Sequence, residues 1–126
     1  MAVVLHLVAT DVWSALGTDE AITNPSLAAE GFIHCTDSPD VLLRIANAFY
    51  RAAPGDFCVL HVDTQRLESP CVWEAPAHLG PTEEEFVALF PHVYGAINRS
   101  AIVAVQPASR GGNGEFLHFG EVFPIA

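Results

Sequence analysis

The chain has 126 residues, 51% of them hydrophobic, and a formal charge of −10 at pH 7. Its five basic residues are all arginine and are spread along the chain. Because proteins that bind nucleic acid or anionic membranes neutralise phosphates with clustered Lys and Arg, this composition argues against both kinds of partner. An isolated arginine is still able to hold one small phosphorylated ligand.

The hydrophobic pattern predicts an α+β domain with one main helix. Apolar runs bounded by turn residues predict strands at 3–8, 31–35, 57–63, 71–74, 101–105 and 116–119. A short helix is expected from Thr10 or Asp11 to Gly17, an irregular segment over 18–30 with a turn at 24–26, and a helical turn over 82–89. The main helix is predicted over 38–52, where Ser38 is a good N-cap and Pro39 fits the first helical position.

The cysteines and the apolar start of the chain bear on its compartment. The three cysteines are odd in number and widely separated, which excludes a disulfide framework and a four-cysteine zinc site. The apolar run over 2–9 is short and lacks a basic region, so a core strand is expected there rather than a signal peptide. No run approaches the roughly 20 apolar residues of a membrane span. We therefore expect a cytoplasmic protein, with residues 1–126 forming a single domain.

Two short strings, 31–36 and 90–95, contain the candidate chemistry. In a strand, Phe32, His34 and Thr36 share one face. His34 and Thr36 then present an imidazole and a hydroxyl side by side, an arrangement suited to a ribose diol or a phosphate. The alternative is a buried histidine bonded to a backbone carbonyl. The residues alone leave both interpretations open.

His92 and His6 are the other histidines of interest. His92 lies between Phe90-Pro91 and Tyr94-Gly95, a pattern expected to form a loop with the apolar walls of a small-ligand pocket. The alternative is a packing corner with a surface histidine. His6 lies inside the first strand, so its imidazole is expected to be neutral and hydrogen-bonded, or to open into a cleft.

Two further pairs give weaker signals. Trp73 and Glu74 offer an aromatic platform and a carboxylate, but on a short strand they point to opposite faces, so one of them at most lines a given pocket. His61 and Asp63 share a strand face. Together with His34 and His92, His61 or Asp63 defines a minor hypothesis, a metal-dependent hydrolase.

Residues 26–36 read Ser-Leu-Ala-Ala-Glu-Gly-Phe-Ile-His-Cys-Thr and resemble the SLxxEGFIHxS core of the bacterial DUF952 proteins. His6 stands where that family carries a strand reading Tyr-(His/Lys)-Ile. The resemblance extends in order over about residues 3–106 and leaves 106–126 as a C-terminal extension. Its further matches are Phe49-Tyr50, 59–63 with Arg66-Leu67, Val72-Trp73-Glu74 and 90–95.

The resemblance implies an ADP-ribosyltransferase-like fold, a split mixed sheet around a nicotinamide-dinucleotide cleft. In that superfamily a strand-borne histidine followed by a small residue and Ser or Thr binds the ribose of NAD, and His34-Cys35-Thr36 has that form. The branch of the superfamily that includes the RNA 2′-phosphotransferases has a second histidine. The resemblance makes His92 the candidate for that position. Glu74 and Glu115 are the candidates for the late glutamate that ADP-ribosyltransferases use.

The resemblance thus implies a protein that binds NAD or a related nucleotide as its small-molecule partner. If it is catalytic, it would break the nicotinamide–ribose bond through an oxocarbenium-like transition state, as an ADP-ribosyl or phosphotransferase-like transferase. The alternative is a non-catalytic metabolite-binding module. The expected catalytic residues are His34 and His92, and the expected ligand-binding residues are His6, Thr36, Trp73, Glu74 and Tyr94.

Overall fold

The computed structural model describes residues 2–75 and 89–125. The strands are β1 Val3–Ala9, β2 Ala21–Ile22, β3 Ile33–His34, β4 Phe57–Asp63, β5 Cys71–Glu74, β6 Phe90–Val93, β7 Ile97–Asn98, β8 Ile102–Arg110, β9 Phe116–Phe119 and β10 Phe123–Pro124. The helices are α1 Thr10–Ser14, α2 Pro25–Glu30 and α3 Pro39–Phe49, and a 3-10 turn covers Arg99–Ala101. The predicted α+β class is confirmed.

Antiparallel pairing organises these strands into a curled sheet in two main parts. One part has the order β1-β4-β8-β10, with β9 also paired to β8, and the other has the order β3-β6-β5. An isolated bridge links them, in which Leu5 N–H donates to Thr36 O at 2.6 Å and Thr36 N–H donates to Leu5 O at 2.9 Å. We call this pair, with the adjoining ends of β1 and β3, the seam.

The two central strands, β1 and β4, are buried on both faces, as their continuous apolar runs predict. On one face Val4, Leu60 and Val62 pack with Ile33 and Val93. On the other face α3 covers the sheet, and its buried residues join a second cluster. That cluster consists of Leu5, Leu7, Leu42, Ala46, Phe57, Val59 and Phe116.

The main helix begins where the sequence predicts. The Ser38 hydroxyl accepts from Val41 N–H at 3.3 Å, and Pro39 occupies the first turn. The helix ends at Phe49 rather than 52, because Tyr50 leaves helical geometry with φ −121° and ψ 3°. α1 also differs in detail, since Ala9 rather than Thr10 or Asp11 is at its N-cap and no side chain caps it.

The prediction of an irregular segment over 18–30 is wrong, because this segment contains β2 and α2. The Asn24 side chain accepts from Ser26 N–H at 2.8 Å and Pro25 is the first helical residue. Asn-Pro starts a helix here because a capping amide followed by proline suits a helix N-terminus as well as a turn. Gly31 ends α2 in the left-handed conformation, with φ 88°, and this shortens the predicted strand 31–35 to β3.

The loop predicted around His92 is also wrong, because Phe90–Val93 forms β6, the central strand of its sheet. Pro91 has no N–H, and the ladder uses its carbonyl, which accepts from Cys35 N–H at 3.1 Å. The strand predicted over 101–105 continues to Arg110, and β7 and β10 were not predicted. Of the helical turn predicted over 82–89, residues 82–88 lie outside the described residues.

Residues beyond 105 pair and pack with the strands and the main helix described above. They supply the second half of β8, β9 and β10, and Phe116 is one of the largest fully buried side chains. The Arg110 guanidinium donates to the carbonyls of Ala53 and Gly55, at 2.8 and 2.6 Å, beyond the end of α3. Among the helices of the described ranges, none is long and apolar enough to cross a membrane.

Candidate functional site

A cavity of about 290 Å³ lies beside the seam, between α2, α3 and the edges of β1 and β3. Its volume is at the small end of the range for ligand pockets, about 300–1,000 Å³. Its polar lining residues are His6, Asn24, Ser26, Glu30, His34 and Thr36. Its apolar and aromatic lining comes mainly from Leu7, Leu42, Ile45, Phe49, Tyr50 and Phe90. We call it the seam cavity.

His6 contributes an imidazole with one bonded and one unpartnered nitrogen. Its Nδ1 lies 2.9 Å from the carbonyl oxygen of His34, and because a carbonyl only accepts, Nδ1 carries the proton. Burial lowers the pKa of His6, and so does the nearby His34 charge. The neutral ring therefore has its lone pair on Nε2, which is buried without a hydrogen-bond partner in the described part of the chain.

His34 is paired with a carboxylate that the sequence analysis did not identify. Its Nε2 lies 2.7 Å from Glu30 Oε2, because α2 ends at Glu30 and β3 begins shortly after it. When the ring is neutral and donates through Nε2, its Nδ1 is an acceptor. The spacing offered a signal: with Asn24 as a helix start and Gly31 as its end, Glu30 falls at the helix terminus, beside the strand that contains His34.

Thr36 completes the polar side of the cavity. Its Oγ1 accepts from Ser38 N–H at 3.3 Å, which leaves the hydroxyl proton free to be donated elsewhere. The lining thus combines imidazole acceptors with a hydroxyl donor. Of the residues predicted from the sequence, the structure brings His6, His34 and Thr36 together along this one cavity.

His92 lies in an adjoining cluster, formed by Phe32, Glu74, His92 and Tyr94. Glu74 Oε1 accepts from His92 Nδ1 at 2.9 Å and from the Tyr94 hydroxyl at 2.5 Å. The Phe32 ring stacks on the His92 ring, with centroids 4.1 Å apart and an interplanar angle of 21°. We call this group the His92 cluster.

The hydrogen bonds of the His92 cluster set the electrostatics of its members. Two hydrogen bonds lower the pKa of Glu74. The larger effect comes from the Tyr94 hydroxyl and the smaller one from His92. The same bond to Glu74 raises the pKa of Tyr94. Glu74 is therefore held as a carboxylate, the form that orients both partners.

The His92 cluster does not line the seam cavity. His92 is 2% exposed, and its connection to the cavity is through His34, whose ring centroid lies 5.5 Å from its own. Trp73 is on the opposite face of β5 from Glu74, as predicted, and is 37% exposed. The predicted residues thus form two adjoining groups joined by His34, and Trp73 belongs to neither.

The described residues offer little support for the metal-dependent hydrolase. In the ranges 2–75 and 89–125, no group of three His, Cys, Asp or Glu side chains is placed to hold a metal ion. His61 Nε2 instead lies 3.0 Å from Gln106 Oε1, and Asp63 accepts from Gln65 N–H at 2.9 Å. Burial raises the pKa of Cys35, so this cavity-lining thiol is not a ready thiolate nucleophile.

Comparison with protein families identifies the sequence class. The family model described as "Protein of unknown function (DUF952)" matches residues 7–105. The chain belongs to the DUF952 family. The match includes His34, Thr36, His92 and Glu74, and the DUF952 region ends within β8, so β9 and β10 lie beyond it.

Solved structures show that this DUF952 fold recurs. The crystal structure of protein CC0527 from Caulobacter crescentus aligns with a TM-score of 0.69 and 19% sequence identity, covering 92% of this chain and 94% of that chain. A double mutant of CC0527, in which a valine and a leucine are replaced by methionine, aligns with the same TM-score of 0.69 at 18% identity. At this identity the likeness establishes the fold alone. The comparison with curated proteins finds no match.

Proposed function

We propose that the seam cavity binds a small ligand through ribose-type hydroxyl groups, and that the nucleoside part of NAD or a related nucleotide is the first candidate. The observation that carries the proposal is the unpartnered Nε2 of buried His6. A buried acceptor without a donor costs about 1–3 kcal/mol. A ligand hydroxyl that donates to Nε2 would remove that cost.

The polar lining matches a vicinal diol. Each hydroxyl of a diol both donates and accepts. The lining contains an acceptor on His6, a second acceptor on His34 when that ring is neutral, and a donor on Thr36. A ribose between them would exchange hydrogen bonds in both directions. This complementarity supports a sugar over a ligand that has only acceptors.

The opposite side of the cavity suits a flat ring. Leu42, Ile45 and Phe49 on α3 and Phe90 on β6 provide apolar and aromatic surface. A base or a nicotinamide ring placed there would be removed from water while its ribose faces the histidines. The ligand that fits both sides is a nucleoside-like molecule.

An ADP-ribosyltransferase-like fold is part of the proposal. Two features support it: the sheet divides at the seam next to a cavity, and His34-Cys35-Thr36 lies on the wall of that cavity. A cytoplasmic location is also proposed, on the three cysteines without a disulfide.

A catalytic role is the second form of the proposal, and the pair of Glu30 and His34 favours it. A carboxylate holding an imidazole is an arrangement that moves protons at a bound substrate. Cleavage of the nicotinamide–ribose bond would then release nicotinamide and join the ribose carbon to the oxygen of water or of an acceptor hydroxyl, and His34 would take the proton from that oxygen. His92 does not line the cavity, so it would act through His34 as a positioning residue. In the non-catalytic form the same cavity only recognises its ligand.

The test is a titration with NAD, observed by ligand NMR and by calorimetry. We expect His34→Ala to weaken binding at least roughly tenfold, about 1.4 kcal/mol. His118→Ala, which removes an exposed histidine from β9, is the matched control and should bind as the unmodified chain does. Equal affinity of His34→Ala and the control would contradict the proposal. Release of nicotinamide during the incubation would favour the catalytic form, and binding without release the recognition form.

A further inference from the structure

The seam cavity has an unusual charge distribution for a nucleotide site. Among the described residues that line it, Glu30 is the one with a formal charge at neutral pH, apart from the histidines. Segment 76–88, which lies outside the described residues, contains neither Arg nor Lys. Pockets that hold phosphates use such cations or free backbone N–H groups.

The five arginines all lie in the described ranges, and none of them lines the cavity. Arg99 donates to Leu16 O at 2.9 Å and Arg110 to the carbonyls beyond α3. Arg66 lies 3.6 Å from Asp63. Leu42, Ile45 and Phe49 of α3 line the cavity, and helical spacing puts Arg44 on the other side of the helix.

Three backbone donors near the cavity are already used. At the start of α3, Ser38 N–H donates to Thr36 Oγ1 at 3.3 Å and Val41 N–H donates to Ser38 Oγ at 3.3 Å. At the start of α2, Ser26 N–H donates to Asn24 Oδ1 at 2.8 Å. Each capping side chain occupies a donor that a phosphate oxygen would otherwise use.

We infer that the seam cavity selects a neutral or cationic nucleoside over its phosphorylated form, and that Glu30 is the residue that determines this selectivity. The inference rests on the proposed function and narrows its ligand class. The Glu30 carboxylate repels a phosphate brought beside His34. The formal charge of −10 on the whole chain adds to this repulsion. A phosphate attached to a bound nucleoside remains in solvent outside the cavity.

The test compares two probes that share a ring and a ribose and differ in one phosphate, nicotinamide riboside and nicotinamide mononucleotide. Affinities are measured by calorimetry at low and at physiological salt, with NAD as a third probe. We expect the riboside to bind roughly tenfold more tightly than the mononucleotide at low salt, with a smaller difference at the higher salt.

Glu30→Gln tests the assigned residue. Glutamine retains an acceptor for His34 Nε2–H and removes the charge, so the difference between the two probes should fall to about two- to threefold. Glu121→Gln removes the same charge at an exposed position away from the cavity and should leave the difference unchanged. Near-ultraviolet circular dichroism checks that both variants fold.

Three outcomes would overturn the inference. Equal or tighter binding of the mononucleotide, or binding of NAD without the riboside, overturns the selectivity and leaves the proposed function in place. An unchanged difference in Glu30→Gln overturns the assignment of selectivity to Glu30. Absence of binding by all three probes overturns the proposed function and the inference together.

Discussion

His34 and His92 are direct partners across β3 and β6, with ring centroids 5.5 Å apart. Each imidazole is bonded to a glutamate from a different element, Glu30 at the end of α2 and Glu74 on β5. Because a carboxylate accepts from one ring nitrogen, it fixes the orientation of that ring. Two oriented imidazoles are thus placed side by side, one on the cavity wall and one behind it.

Glu74 is predicted to control the ionisation of Tyr94. The hydrogen bond between them raises the pKa of the tyrosine, so Glu74→Gln should move that pKa back towards its ordinary value of about 10. Absorbance titration of the phenolate resolves the effect. Tyr50, whose pKa is raised by burial and by the Glu30 charge, serves as an internal reference. A Tyr94 titration that does not move in Glu74→Gln would show that the bond is not formed in solution.

His6 is predicted to make the protein less stable in mild acid. Its folded-state pKa is lowered from the ordinary 6.5, so below about 6.5 the unfolded chain binds a proton that the folded chain excludes. Stability is therefore retained above that pH and falls as the pH decreases, by up to about 1.4 kcal/mol per pH unit.

Urea unfolding from about pH 7.5 down to about pH 5 measures this slope. His6→Leu removes the titrating group, so its slope should be smaller than that of the unmodified chain, whatever its absolute stability. His118→Ala, which removes an exposed histidine, should retain the slope. Identical slopes in His6→Leu and the unmodified chain would contradict the prediction.

Asn47 is predicted to stabilise the attachment of β9 to α3. Its side-chain amide donates to Phe116 O at 2.9 Å and accepts from Phe116 N–H at 2.7 Å, which reproduces the pair of bonds a neighbouring strand would make. Asn47→Ala removes both partners and should lower the free energy of unfolding by about 1–3 kcal/mol.

Hydrogen exchange provides a local readout for the same variant. Protection of the Phe116 amide should be lost in Asn47→Ala to a greater extent than protection of the β1 amides. Asn47→Asp keeps the acceptor and loses the donor, so that amide should stay better protected than in the alanine variant. A cost below about 0.5 kcal/mol with full protection would be the contrary result.

Arg110 is predicted to be a structural residue. Its guanidinium donates to five carbonyl oxygens, those of Tyr50, Arg51, Ala53, Gly55 and Gly114. It also lies 4.4 Å from the centroid of the Phe116 ring. Arg110→Met should therefore lower the free energy of unfolding by about 2–4 kcal/mol.

Arg110→Lys should recover less than half of this loss, because an ammonium cannot reproduce the planar fork of donors. The matched control is Arg51→Met, an exposed arginine nearby, with an expected effect within about 0.5 kcal/mol. Chemical denaturation measures the free energy of unfolding of all three variants. Equal stability of the methionine and lysine variants would mean that the fork geometry is not what stabilises this region.

The parts of the fold that the sequence predicts are those with local signals. β4, β5 and β9 have the predicted bounds, because each is an apolar run bounded by turn residues. α3 begins as predicted from Ser38-Pro39. β6 was not predicted, because proline within an apolar run argues against a central strand. That Phe90–Val93 forms one nevertheless depends on its pairing with β3, which is distant in sequence.

The site shows the same division. His34 and Thr36 both line the seam cavity, but Cys35 between them lines it too, so the period of two along a strand does not account for this wall. The pairing of Glu74 with His92 requires the register of β5 against β6, and the local pattern does not contain that register. Glu30 requires α2, which the Asn-Pro ambiguity concealed. The local pattern predicted the strand that contains His34. The contacts that depend on strand register could not be predicted from it.

The seam has a mechanical consequence. The ladder between β1 and β4 runs through seven residue pairs, whereas Leu5 and Thr36 form an isolated bridge between the two parts of the sheet. A molecule in the adjoining cavity touches both parts together with α2 and α3. Its occupancy would add contacts across the bridge, so amides on either side of it would exchange with solvent more slowly.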